Sequence, residues 1–187
     1  LLTEFPGVST YGAGGVSSLP VIRGLGDDRL RTKVDGMDLI ASCPNHMNSP
    51  LSYIDPTAVE GVQVYSGVTP VSVGGDSIGG TIVVQSAPPA FADPGGRLAK
   101  GEVGSFYRSN GDSWGGNLAG TYATDSLSIN YKGAYAQSDN YKAGGDFKDY
   151  TFTGRAGHTL DLDEVGSTAY RANNQSVTLA WKNEDHL

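Results

Sequence analysis

The sequence has little of what helical membrane proteins, disulfide-linked proteins and nucleic-acid-binding proteins need. It contains one cysteine in 187 residues, so an intrachain disulfide is excluded. No apolar run approaches the roughly 20 residues of a transmembrane helix, so only strands could cross a bilayer. Thirteen Lys and Arg against 20 Asp and Glu give a net charge of -7, which disfavours nucleic acid as a partner. Neither a starting methionine nor a signal segment precedes Leu1, which predicts that the chain begins partway into a longer gene product.

Glycine and tyrosine are abundant, with 27 and 10 residues, and they favour turns and β-structure over long helices. Three prolines and two glycines in residues 87–96 (APPAFADPGG) interrupt any regular element. We therefore predict a first domain over residues 1–88, a linker over residues 89–97 and a second region over residues 98–187.

The first region has the pattern of small strands in a compact domain. Short apolar runs at residues 19–22, 62–65 and 81–84 are separated by glycine-rich turns. Within residues 52–59, Asp55 is suited to cap a short helix that begins at Pro56.

The second region alternates strictly between apolar and polar residues. Leu127, Ile129 and Tyr131 fall on one face, while Ser128 and Asn130 fall on the other. Similar alternation in residues 114–122, 150–156 and 176–182 predicts about five antiparallel strands from Lys100 onward. Their length suits tilted bilayer-spanning strands, but a closed barrel needs about eight or more, so the barrel would be partial. A soluble sandwich shows the same alternation and stays an alternative.

Two motifs in the first region carry a family resemblance. The first is residues 19–24 (LPVIRG), followed by Arg29 and by residues 34–37 (VDGM). The second is residues 59–67 (VEGVQVYSG), followed by Pro70 and by residues 74–84 (GGDSIGGTIVV). In this order and at this separation they resemble the plug domain of TonB-dependent receptors. Gly61 and Val83 depart from the usual pattern, which suggests a divergent subfamily.

The resemblance implies an α+β plug with a small mixed sheet, followed by antiparallel strands of a partial transmembrane β-barrel. It also implies a bacterial outer-membrane receptor that imports a scarce metal or metal chelate and requires no cofactor. Its partners would be the lipid of that membrane, the cargo, and the TonB energy-transducing protein, bound through a segment absent from this chain. Arg23, Arg29 and Glu60 would contact the inner barrel wall, although each also suits an ordinary solvated position.

An enzymatic function has weak support in the sequence. Residues 75–80 (GDSIGG) are similar to the nucleophile segment of trypsin-like serine proteases, but the inserted Ile78 breaks the match. A serine nucleophile also needs a positioned base, and His46, His158 and His186 lack a recognisable catalytic context. We therefore expect a protein that is not an enzyme.

Residues 41–48 (ASCPNHMN) form the candidate metal site. The Cys43 thiolate and the Met47 thioether are soft ligands that favour Cu(I), and His46 lies between them. This segment resembles the plug motif of TonB-dependent copper receptors. As alternatives, Cys43 and Met47 are packing side chains, and the cargo is a siderophore or cobalamin. A soluble β-rich binding or adhesion module, a passive porin and a receptor that also signals remain open.

Overall fold

The computed structural model describes residues 2–13, 17–42, 48–75 and 77–183. Contacts within the chain divide it into two compact units, Leu1–Pro88 and Pro89–Leu187. No helix among the described residues is long and apolar enough to cross a membrane.

The first unit contains two small sheets. One is an antiparallel sheet of three strands: β1 (Val8–Ala13), β2 (Ser17–Ile22) and β3 (Leu25–Gly26). The other has the order β5-β4-β7-β6, formed by β4 (Leu30–Val34), β5 (Met37–Leu39), β6 (Val59–Ser66) and β7 (Gly80–Ser86). Because β4 pairs with β7 in parallel and the other pairs are antiparallel, this sheet is mixed, as predicted.

Short 3-10 turns supply the helical part of the first unit in the described residues. They are Leu2–Glu4, Asp27–Arg29, Pro50–Tyr53, Pro56–Ala58 and Val71–Val73. The short helix predicted to begin at Pro56 is a three-residue 3-10 helix, and the Asp55 carboxylate caps it by accepting the Thr57 N–H at 2.8 Å. It ends after three residues because Val59 begins β6.

The core of the first unit lies between its two sheets. Ile22 of β2 and Ile82 of β7 are fully buried, and Val8 of β1 and Val84 of β7 complete the cluster. Both faces of β7 are covered, since Ile82 and Val84 on one face and Thr81 on the other are buried, which accounts for the run at residues 81–84.

The second unit is one antiparallel sheet with its strands in chain order. The strands are β8 (Leu98–Arg108), β9 (Ser113–Ala123), β10 (Leu127–Ser138) and β11 (Tyr170–Trp181). The alternation predicted for β10 is confirmed: Ile129 lies opposite Tyr122 and Leu179, whereas Ser128, on the other face, is buried. The described sheet does not close on itself.

The fifth strand predicted at residues 150–156 is absent, and the prediction of about five strands is wrong for the part of the chain that is described. Instead, this segment lies in the long β10–β11 connection and forms one isolated bridge, Phe152 to Thr159. Gly154 and Gly157 have φ of 81° and 74°, so the chain reverses within a few residues. Such positive φ angles cannot continue a strand.

Residues 89–97 lie against the turn that joins β9 to β10. The Ala92 N–H donates to the Thr124 carbonyl at 2.9 Å, and the Gly95 N–H donates to the Asp125 carboxylate at 3.2 Å. The Gly95 bond lowers the pKa of Asp125 because it stabilises the charged carboxylate. The segment between β7 and β8 is therefore attached to the second unit.

Candidate functional site

The predicted metal ligands Cys43, His46 and Met47 lie outside the described residues, in segment 43–47. Both ends of this segment are described, and both are bound to the same 3-10 turn. At one end, the Tyr53 hydroxyl lies 2.7 Å from the Ser42 Oγ and accepts the Ser42 N–H at 3.2 Å. At the other, the buried Ser49 carbonyl accepts two bonds from Ser52, at 2.9 Å from its N–H and 2.6 Å from its Oγ. The described residues on both sides of segment 43–47 are therefore anchored to one turn.

A cavity of about 300 Å³ lies beside the residues that flank this segment. Ala41 and Ser49, on either side of the segment, line it, together with residues of β4 and of the Asp27–Arg29 turn. Its charged side chains are Asp27, Asp28, Arg31 and Asp38. Polar groups thus collect beside the residues that flank the predicted metal-binding segment.

Arg31 is the central side chain of this wall. Its Nε and Nη2 donate to both carboxylate oxygens of Asp38, at 2.6 and 2.7 Å, and its Nη1 donates to the Gly74 carbonyl at 2.6 Å. The bidentate bond from Arg31 lowers the pKa of Asp38 below its ordinary value. Lys33, two residues along the same face of β4, donates to the Val73 carbonyl at 3.1 Å. We name Arg31, Lys33 and Asp38 the β4 clamp, because they hold the β6–β7 connection against β4.

A group of three hydroxyls supports the same connection from within. The Thr69 Oγ1 lies 2.9 Å from the Thr81 Oγ1 and 3.0 Å from the Ser77 Oγ, and Ser77 lies 3.1 Å from Thr81. Thr69 and Thr81 are buried, so these bonds satisfy polar groups away from water. Ser77, the serine of the protease-like segment, is therefore bonded to hydroxyls.

The three predicted plug–barrel contacts are exposed in the first unit. Arg23 adopts φ of 50°, and its N–H donates to the Gly7 carbonyl at 2.8 Å. The Arg29 carbonyl accepts the Gly79 N–H at 2.8 Å. Glu60 lies at an irregularity of β6 and lines an open groove of about 760 Å³. The structure does not bring these three side chains together, and their contact with a barrel wall stays a prediction.

Sequence reasoning missed the β4 clamp. A usable signal existed, because Arg31 and Lys33 alternate onto one face of a strand and Gly74-Gly75 marks a turn with free carbonyls. The parallel pairing of β4 with β7 brings that turn beside β4, and it joins residues about fifty positions apart. Nothing local in the sequence indicates that pairing.

Comparison with known proteins points in one direction. Residues 1–81 match the family model described as the TonB-dependent receptor plug domain. The structure titled copper transporter OprC is 25% identical, with a TM-score of 0.75, and the match covers 98% of this chain and 26% of that chain. Among curated proteins, none matches this chain.

Two further solved structures share the fold. The FrpB iron transporter from Neisseria meningitidis, in its apoprotein form, is 19% identical with a TM-score of 0.71, over 98% of this chain and 27% of that chain. The ferric enterobactin receptor PfeA in complex with BCV-L6 is 17% identical with a TM-score of 0.60, over 95% and 27%. The chain thus spans about a quarter of the length of these structures.

Proposed function

We propose that this chain, whose residues 1–81 match the TonB-dependent receptor plug domain, is part of a receptor that imports a metal or metal chelate across the bacterial outer membrane. The observation that carries the proposal is the plug-domain match over residues 1–81, joined to a sheet with one apolar face. The partners of the whole receptor would be the TonB energy-transducing protein, the membrane lipid and the cargo. Its task is binding and release without catalysis.

The second unit supports a membrane location through the polarity of its two faces. The exposed fractions of Val177, Leu179 and Trp181 on one face of β11 are 65%, 69% and 78%. The opposite face carries Ser176, Thr178 and Ala180. Contact of the first face with water would be unfavourable, whereas the hydrocarbon of a membrane would solvate it. This arrangement is typical of barrels that have lipid outside and water inside.

We further propose that the cargo is copper, bound by Cys43 and Met47 with His46 as a third ligand. The soft thiolate and thioether suit Cu(I), and the flanking residues Ser42 and Ser49 are both anchored to the Pro50–Tyr53 turn. The similarity to a protein titled a copper transporter adds weight. The remaining ligands would come from parts of the receptor beyond this chain.

The test is a Cu(I) titration of the full-length receptor against a competing chelator. Cys43→Ser and Met47→Ala should each weaken binding by at least about tenfold, because each removes one soft ligand. Met37→Ala is the matched control, since Met37 is the other methionine of the chain and its side chain is 63% exposed on β5. Affinity should rise with pH until the Cys43 thiol is deprotonated.

Equal affinity in all four proteins would refute the copper site and leave the receptor assignment intact. A ferric chelate is the second candidate cargo, favoured by the fold shared with FrpB and PfeA. Uptake of a ferric chelate that depends on TonB and is unchanged by Cys43→Ser would favour it over copper.

A further inference from the structure

The apolar face of the second unit carries a groove floored by glycines. The groove has a volume of about 330 Å³ and is lined by Gly116 and Gly133, with Tyr131 and Tyr135 beside them. Tyr131 and Tyr135 lie on the same face as Ile129, so the groove opens on the side that we assign to lipid. A shallow channel therefore interrupts an otherwise filled apolar surface.

The Tyr131 ring lies over Gly133 at the groove. A Cβ at this position would lie 2.6 Å from the Tyr131 hydroxyl oxygen, so any side chain there would displace the tyrosine ring. The backbone of Gly133 has no positive φ, so its conformation does not require glycine. Glycine at this position thus leaves room for the Tyr131 ring, which lines the groove.

One end of the groove is polar. Asn173 and Gln175 of β11 line it, and Arg171 follows on the same face, at the end of the strand nearest the β10–β11 connection. All three side chains are exposed. Long connections of outer-membrane barrels lie on the extracellular side, so these polar groups point to the outer leaflet. Arg171 and Trp181 are ten residues apart, about 33 Å along the strand and about 25 Å in height at a tilt of about 40°.

Arg171 thus lies at the height of the lipid headgroups, where a charged side chain costs little and can meet a headgroup. Arg171 provides a positive charge, and the Asn173 and Gln175 amides provide hydrogen-bond donors, which together suit a phosphate. Below them, apolar side chains line the groove, among them Val103, Leu118 and Tyr131. A phosphate joined to an acyl chain matches both parts in their observed order.

We propose that this groove is a specific lipid site, which binds one acyl chain of a phosphorylated lipid while Arg171, Asn173 and Gln175 bind its headgroup. The site rests on the proposed membrane location of the receptor. It is independent of the cargo, because it lies on the outward face of the sheet and shares no residue with segment 43–47.

Native mass spectrometry of the full-length receptor in detergent tests the site, with dioleoyl phosphatidic acid and dioleoylglycerol as probes. The receptor should retain one phosphatidic acid. Gly133→Leu should lower its occupancy about tenfold, because the leucine displaces the Tyr131 ring that lines the groove. Gly120→Leu is the matched control, because Gly120 lies opposite Tyr131 on the same face and a Cβ there has open space. Arg171→Gln, a surface change that spares the groove, should lower the occupancy of phosphatidic acid and leave dioleoylglycerol unchanged.

Equal phosphatidic acid binding by the receptor and both the Gly133→Leu and Arg171→Gln variants would overturn the site. Equal binding of the two lipids by the unaltered receptor would overturn the role of Arg171. Dimerisation through this face, seen as a second copy lost with Gly133→Leu, would overturn lipid as the occupant. Metal uptake is measured separately. Lipid binding without metal uptake would refute the proposed transport function. Metal uptake without lipid binding would refute only the proposed lipid site.

Discussion

Both units of the chain contain strands with apolar side chains on one face, but these side chains are buried in the first unit and exposed in the second. In the first unit, Ile22 and Ile82 are fully buried against each other's sheets. In the second unit, Leu179 and Trp181 stand out from the sheet, with 69% and 78% of their surface exposed. An alternating sequence therefore specifies which residues share a face, and the surroundings decide whether that face is buried in a core or left exposed.

The units also differ in how far apart in sequence their contacts lie. In the second unit each strand pairs with its neighbour in the chain. In the first, the Asp35 carboxylate accepts bonds from the Ser86 N–H and Oγ, both at 2.8 Å, across 51 positions, and the β4 clamp spans about 40. A few side chains thus tie distant segments together, and removing one of them should loosen a whole connection.

The largest difference between the units should appear when apolar side chains are shortened. Ile82→Ala should destabilise the first unit by about 2–5 kcal/mol, because it leaves a cavity in a fully buried site. Leu179→Ala is the matched change in the second unit and should have a much smaller effect on the first. Hydrogen exchange of the β7 amides in the membrane-embedded receptor measures both. Similar exchange in the two variants would mean that the cluster around Ile82 does not act as a core.

Placing a charge on each face of β11 in turn should show which face contacts lipid and which faces the interior of the barrel. Leu179→Arg should destabilise the barrel by about 2–4 kcal/mol if it lies near the bilayer midplane, because hydrocarbon does not solvate the guanidinium. Thr178→Arg, one residue away on the opposite face, should change stability by less than about 0.5 kcal/mol. Folding of the full-length receptor from urea into phospholipid vesicles gives both values. Equal effects would contradict the assignment of the two faces.

Sequence reasoning was most successful where structure is local. The alternation at Leu127, Ile129 and Tyr131 predicted β10, and the Asp55-Pro56 pair predicted a capped turn, because each depends on neighbouring residues. It failed at residues 150–156, where apolar and polar residues alternate but Gly154 and Gly157 turn the chain back. Alternation alone cannot distinguish a strand from such a reversal.

The site was less predictable than the fold. Arg31 and Asp38 meet because a two-residue turn at Asp35 and Gly36, with φ of 49° and 85°, folds β5 back onto β4. That turn was visible in the sequence as Asp-Gly. The Gly74 carbonyl reaches Arg31 through the parallel pairing of β4 with β7, which a single sequence does not reveal.

Breaking the β4 clamp should loosen the β6–β7 connection without unfolding the core. Arg31→Gln removes the charged bond to the Gly74 carbonyl, so amide exchange in residues 71–75 should rise about tenfold. Arg29→Gln is the control, because the bond of Arg29 to Gly79 uses its backbone carbonyl. Faster exchange with both variants would indicate a general effect of charge, and no change with Arg31→Gln would refute the clamp.

The clamp should also respond to acid through Asp38. Arg31 lowers the pKa of Asp38 in the folded protein. The ionised Asp38 therefore contributes stability that is fully present above the unfolded pKa of about 3.9 and is lost as pH falls through the lower folded pKa. Asp38→Asn should remove this acid dependence. Exchange in residues 71–75, corrected for the intrinsic effect of pH, measures it. An unchanged acid dependence in Asp38→Asn would assign the effect to another carboxylate.

The smallest effect on amide exchange is expected in the β10–β11 connection of the second unit, which contains an exposed ion pair in place of a cation bonded to backbone carbonyls. Lys142 lies 2.9 Å from the Asp161 carboxylate and 3.3 Å from that of Asp163. Asp161 raises the pKa of Lys142 first, followed by Asp163, and Lys142 lowers the pKa of Asp161. The raised lysine pKa gives stability that is lost only as pH rises through it, and the lowered aspartate pKa gives stability that is lost only as pH falls through it. Exchange in residues 139–169 of the full-length receptor, corrected for intrinsic rates, should therefore be constant between about pH 5 and 9.

Lys142→Gln should change this exchange only slightly, and less at high salt, because solvent screens the ion pair of Lys142 with Asp161. An effect as large as that of Arg31→Gln would show that the connection, like the first unit, depends on a single cation.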